Sequence, residues 1–346
     1  MMKLNKGCGF LVILVSILLV SLPLYAGDDS RIGTAAGEQV LQPIGARGVA
    51  MGGSDIVYTQ GIEALHWNPA GLSILEKGFV GMFSRNTVFN DIGINYLGLG
   101  IQAGSIGVIA FDIKAFSFGD ILRTTETDMD GLSGATFSPT WGTIGLTYAN
   151  KLTSTIQVGI KAKIIYESLP RVSGSAFAFD IGLQYRNLAG IEGVSFGVVL
   201  KNIGTSLKYE GSGLMQKTVD DAGATYYLNR VASSDQLPTA MEIGAAYKYI
   251  VNEENNLLFT GMFQNNNTNL DAYKIGAEYI YNELIAVRAG YVMLNNPPDD
   301  YKVLETFTLG AGIKYEYSNI LLQVDYAYRD YGIFDANNMF TLTVGF

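Results

Sequence analysis

The sequence predicts an all-β protein, a transmembrane antiparallel β-barrel of about fourteen strands. Three observations carry that expectation. The 346 residues are 48% hydrophobic and only 16% charged, where soluble domains carry roughly 25% charge. Beyond residue 26, however, the chain lacks the run of about 18 apolar residues that a membrane helix requires. Strand-length segments instead alternate apolar and polar residues, and the last of them runs to the final residue. In Asn338–Phe346 one face carries Phe340, Leu342, Val344 and Phe346, and the other carries Met339, Thr341, Thr343 and Gly345. An extended chain places such residues on opposite faces, one suited to lipid and the other to a packed or wet lumen.

Residues 1–26 read as a secretory signal peptide. Lys3 and Lys6 form a basic start, Phe10 to Val20 an apolar centre, and Leu24-Tyr25-Ala26 a cleavage region that meets the small-residue rule in part. Cys8 is the only cysteine. It precedes the apolar centre, so the mature chain is expected to contain no disulfide. His66 is the only histidine, which excludes a metal site built on two or more histidines. No cofactor and no metal are expected. A net charge of −9 argues against nucleic acid as a partner.

Residues 27–77 are rich in Gly, Ala and polar residues and lack period-two alternation. Candidate strands follow at 78–86, 92–102, 105–118, 140–149, 154–168, 175–187, 193–204, 238–250, 255–264, 270–281, 284–294, 304–317, 319–330 and 338–346. In the twelfth of these, Phe307, Leu309, Ala311 and Ile313 oppose Thr306, Thr308, Gly310 and Gly312. Lys161, Lys163, Asp180, Glu242, Lys248, Lys274, Glu278, Arg288, Lys314 and Asp325 nearly all fall on the polar face of their strands. A soluble sandwich would turn that face to water, and a membrane barrel would turn it inward. Periodicity alone leaves both arrangements open, and the signal peptide, the terminal Phe346 and the strand number favour the barrel.

The connections give independent support. The long ones, 119–139, 205–237 and 295–303, all follow odd-numbered strands, and the even-numbered strands end in brief turns such as Asn282-Glu283. Outer-membrane barrels show this asymmetry, with short turns facing the periplasm. The parity places both chain termini at the short-turn end. Strands 92–102 and 105–118 are apolar on both faces, which leaves two readings. One is a bulge or register shift. The other is an apolar lumen patch formed by Leu97, Leu99, Ile109 and Phe111 that would take a hydrophobic ligand.

The closing strand resembles the C-terminal assembly signal of bacterial outer-membrane barrels, with Phe340, Leu342, Val344 and Phe346 as its signal residues. The stretch Gly45–Val57 reads GARGVAMGGSDIV, and Ala64–Ser73 reads ALHWNPAGLS. Together they resemble the FadL-like outer-membrane superfamily, and more closely its PorV/PorQ branch. The resemblance implies a fourteen-stranded barrel over 78–346 with residues 27–77 folded inside as a plug. Gly45, Arg47, Gly52, Gly53, Trp67, Asn68, Pro69 and Gly71 are then plug residues that fix the segment to the wall. Arg47 would pair with a lumen carboxylate, for which Asp180, Glu242, Glu278 and Asp325 are candidates. His66 reads as a packing side chain.

PorV and PorQ proteins are associated with type IX secretion, so the resemblance implies an outer-membrane partner in protein secretion or surface assembly. The alternative it implies is a FadL-like passive uptake channel for fatty acids or other hydrophobic compounds. Expected partners are outer-membrane lipid, the barrel assembly machinery, and either secreted cargo proteins or a hydrophobic ligand. No G-x-S-x-G elbow stands beside a base and an acid in a recognisable order, and the chain is not expected to be an enzyme.

Overall fold

The computed structural model describes residues 29–88, 92–298, 302, 305–332 and 334–346. The expected signal peptide, 1–26, and part of the 295–303 loop lie outside the described residues. Fourteen antiparallel strands form a closed barrel. They are β1 Phe79–Thr87, β2 Gly93–Gln102, β3 Val108–Ser117, β4 Thr140–Lys151, β5 Ile156–Leu169, β6 Val172–Tyr185 and β7 Val194–Gly204. The second half comprises β8 Ala240–Ile250, β9 Asn255–Asn266, β10 Ala272–Tyr281, β11 Ile285–Leu294, β12 Thr306–Tyr317, β13 Ile320–Tyr331 and β14 Phe334–Gly345. Each strand pairs with its sequence neighbours, and β1 closes the cylinder against β14 in a register that sets Phe83 opposite Leu342. Closure leaves no free sheet edge, as a backbone inside lipid requires.

The faces settle which way the charges turn. Asp112, Lys161, Lys163, Asp180, Glu242, Glu278, Arg288 and Asp325 are buried. Phe83, Leu146, Phe177, Leu309, Val324 and Phe340 are exposed. A water-soluble sandwich would show the reverse. This cylinder hides its ions and offers aliphatic and aromatic groups to its surroundings.

All fourteen expected strands are present, with ends shifted by up to about four residues, the usual boundary scatter. The largest shift is in β14, which begins at Phe334 because the ladder with β13 continues through Asn337 and Asn338 to a Tyr331–Phe334 pair. The turn between β10 and β11 shows why short connections suffice at one end. Asn282 and Glu283 both have positive φ, 51° and 54°, and Leu284 N–H donates to the Tyr281 carbonyl at 3.0 Å. Positive φ at both central residues is the hairpin turn whose twist matches the strands.

Both readings of the early strands are overturned. The registers of β1 with β2, β2 with β3 and β3 with β4 run without a shift. Leu97, Leu99, Ile109 and Phe111 lie on the exposed outer face, so they form no lumen patch. Both faces are apolar because each meets an apolar neighbour. The outer face is exposed, and the inner face, with Ile94, Tyr96, Val108 and Ala110, packs against Ile62, Leu65 and Leu72 of the inner segment. The wall's irregularities lie elsewhere: the β13–β14 register shifts between Arg329 and Tyr331, and the β6–β7 register shifts between Phe179 and Ile181. There Asn202 adopts φ 60° and its N–H donates to Asp180 Oδ1 at 2.7 Å.

Residues 29–77 run through the barrel. Near the long-loop end, Ala36 N–H donates to the Gln236 carbonyl at 3.0 Å, and Gln39 Nε2 donates to the carbonyls of Gly142 and Tyr166. The segment crosses the middle as two short helices, α1 Ala46–Ala50 and α2 Ala64–Trp67. It then reaches the short-turn end, where β1 starts beside the last residue, with Phe79 N–H donating to the Phe346 carbonyl. The parity argument therefore holds for Phe346 and for the start of β1. It fails for the first described residues, because strand parity does not report the path of a segment that is not a strand.

Candidate functional site

Residues of the Gly45–Val57 and Ala64–Ser73 stretches meet in the middle of the barrel, where they tie the inner segment to well-separated parts of the wall. On one side, Arg47 donates to both Glu278 oxygens, Nε–Oε1 at 3.1 Å and Nη2–Oε2 at 2.8 Å, and pairs with Asp55 at 2.8 Å. Glu278 also accepts from Arg288 at 2.7 Å, and Arg288 donates to Asp325 at 2.6 Å. The result is an alternating chain of charge, Asp55–Arg47–Glu278–Arg288–Asp325. Two of the four candidate carboxylates thus belong to the Arg47 network, Glu278 directly and Asp325 through Arg288. Asp180 and Glu242 pair instead with Lys163 and Lys201. A guanidinium suits this position because its planar fork serves two carboxylates at once.

On the other side, Asn68 caps the turn Pro69–Ser73 through Oδ1, which accepts from Ala70 N–H at 3.1 Å. Proline follows at the first position of that turn, where a missing N–H costs nothing. The Asn68 amide then donates to the Ile56 carbonyl at 2.7 Å and to Leu183 of the wall at 3.2 Å. Gln184 on β6 reinforces the contact by donating to the carbonyls of Ile56 and Thr59.

Both attachments rest on paired glycines in the wall, which the sequence reading missed. Gly276 and Gly290 face each other across β10 and β11. A Cβ on Gly290 would come within 2.2 Å of Gly52 N, and one on Gly276 within 2.6 Å of the Met51 carbonyl oxygen. Opposite them, Gly159 and Gly182 pair across β5 and β6, and a Cβ there would meet Pro69 and Asn68 at 2.3 and 2.0 Å. Bare strand backbone lets another backbone approach this closely. The usable signal was an inward-register glycine on each of two adjacent strands.

The other motif residues serve the inner segment itself. Gly45 has φ 86° and turns the chain into α1. Glu63 accepts from Gly48 N–H at 2.8 Å, covering the start of α1, where amides lack helical partners. Gly53 packs on the Trp67 ring, and Gly71 lies against the Thr59 carbonyl. Phe340, Leu342 and Val344 stand apart from this centre, along the outer register of β14, and Phe346 lies just beyond its end.

Two cavities flank the tether. The one toward the short turns is about 230 Å³ and includes Arg47, Tyr58, Glu63 and Arg288 in its lining. The one toward the long loops is about 160 Å³. Its walls include Val40, Leu65, Trp67, Tyr96 and Val292, and six cationic side chains set against the carboxylates of Asp112, Asp180 and Glu242. Lys161 pairs with Asp112 at 2.8 Å, Lys163 with Asp180 at 2.7 Å and Lys201 with Glu242 at 2.9 Å. Lys201 also lies 5.5 Å from the Trp67 ring centre. His66, on the inner segment rather than a spanning strand, borders this cavity and meets Trp67 edge-on at 4.9 Å. Burial, then Lys114, Lys201, Lys161 and Lys163 in turn, hold its pKa well below the usual histidine value, so its imidazole is neutral.

No protein-family profile matches the chain, and no curated protein matches it. Solved structures do. The toluene transporter TodX of P. putida is similar with a TM-score of 0.55 at 16% identity, over 88% of this chain and 98% of that one. The monoaromatic hydrocarbon channel CymD is similar at 0.52 and 14%, over 87% and 96%. The toluene transporter TbuX of Ralstonia pickettii is similar at 0.52 and 13%, over 88% and 97%. At these identities the likeness is one of architecture: the chain shares the closed antiparallel barrel fold of these channels.

Proposed function

We propose that this chain is a bacterial outer-membrane channel, not an enzyme, that passes small amphiphilic or hydrophobic molecules, with residues 29–77 as its plug. The observation that carries this reading is the placement of a tethered inner segment between two cavities inside a barrel wall. A solid structural barrel has no use for cavities on both sides of its filling. A route through the wall's interior needs them, together with a barrier that can shift. The similarity to channel barrels supports this reading over the secretion-partner role raised by the motif.

The test is uptake. Cells expressing the chain in an outer membrane stripped of its own channels should take up small amphiphiles faster than cells carrying the empty vector. A variant with the plug loosened, Arg47→Ala, should take them up faster still. Equal uptake by all three strains, with the barrel folded and present in the membrane, would refute a channel role.

A further inference from the structure

We propose that the cavity on the long-loop side is a binding site for a small organic anion, a ring-sized body carrying one carboxylate. This deepens the channel reading and rests on it. The argument begins with charge. The whole chain carries −9, yet this cavity gathers five lysines and Arg329 around three carboxylates. Lys161, Lys163 and Lys201 have their carboxylate partners. Lys114 reaches only main-chain oxygens, those of Gln42 at 3.0 Å and Val40 at 3.5 Å. Lys274, beside Gly53, makes no ion pair and no hydrogen bond among the described residues. Carbonyl dipoles solvate an ammonium without neutralising it, and an unmatched buried cation is costly. An anion beside Lys274, next to Gly53 and the Trp67 ring, removes that cost there.

The remaining walls define the rest of the ligand. Leu65, Trp67, Tyr96 and Val292 are apolar or aromatic, so a bare inorganic anion would leave them facing water. The volume, about 160 Å³, is near that of an engineered cavity of about 150 Å³ that takes up benzene. A neutral ring would match the walls and leave the lysines unmatched, whereas an aromatic carboxylate satisfies both.

The test uses the full-length mature barrel in detergent, with benzoate as probe and toluene as its neutral counterpart. The chain has two tryptophans, so a Trp141→Phe background leaves Trp67, at the cavity wall, as the fluorescent reporter. Benzoate should change its emission saturably and bind more tightly than toluene. Lys274→Gln should weaken benzoate by roughly tenfold, as expected for one charge-assisted contact, and leave toluene unchanged. Lys274→Arg should retain benzoate binding. Benzoate binding no tighter than toluene in the parent protein overturns the proposal without any lysine variant, as does full benzoate affinity in a folded Lys274→Gln barrel. Inorganic phosphate competing as well as benzoate would overturn the aromatic half of the assignment. Vesicle flux separates this proposal from the channel reading. Benzoate bound but never transported supports the site and removes the channel, and amphiphile flux without benzoate binding removes the site and keeps the channel.

Discussion

Replacing Arg47 by alanine should release the plug while leaving the wall standing. The guanidinium makes three contacts with two carboxylates, and Asp55 and Glu278 are 0% and 2% exposed. Glu278 keeps Arg288 as a partner after the change, and Asp55 keeps the Tyr58 amide at 2.6 Å but loses its counter-charge. Breaking a buried pair in this way costs about 3–5 kcal/mol. The cost falls on the docking of the segment, because the ladders between strands are untouched. The undocked population should therefore rise by roughly two to three and a half orders of magnitude. Hydrogen exchange followed by mass spectrometry reads this directly. Amides of residues 45–74 should exchange faster in the variant, with strand amides unchanged, and single-channel current in a planar bilayer should increase. If those amides stay as protected as in the parent while the barrel remains intact, the charge chain does not hold the plug, and the reasoning fails.

Three further outcomes follow from the same contacts. Gly290→Ala should lift Met51–Gly52 off β11 at a cost of about 1–3 kcal/mol for overpacking, seen as faster exchange confined to residues 46–54; unchanged protection there would deny the glycine seat. Asn68→Ala should cost about 1 kcal/mol for the lost cap, leave the Ile56 carbonyl with Gln184 alone, and lower the melting temperature of the inner segment more than that of the wall. Val324→Arg, on the exposed face of β13, should destabilise the barrel by about 2–4 kcal/mol in vesicle refolding, whereas a protein that folds in water would tolerate it.

The wall was legible because period-two alternation reports strand faces, and fourteen alternating segments appear in order from Phe79 to the end. The partner of Arg47 was legible only as a set of four, since a carboxylate on an inward face does not reveal its height in the barrel. The early strands misled because apolar residues on both faces carry the same signature whether the second neighbour is a ligand, a bulge or another part of the chain. Here it is Ile62, Leu65 and Leu72. The cation excess was invisible because each lysine, seen within its own strand, reads as an ordinary polar-face residue. It emerges only when closure brings β3, β5, β7 and β10 around one space.

The seam between β1 and β14 has a consequence for biogenesis. The strand made first finds one of its two neighbours only when the strand made last exists. Until then the curved half-sheet has open flanks, and the segment ahead of β1 has only part of its eventual enclosure. Opposite sides of that enclosure, β6 and β11, are both needed to grip it. The piece made first is therefore among the last to become protected, and proteases should cut it until the final hairpin zips shut.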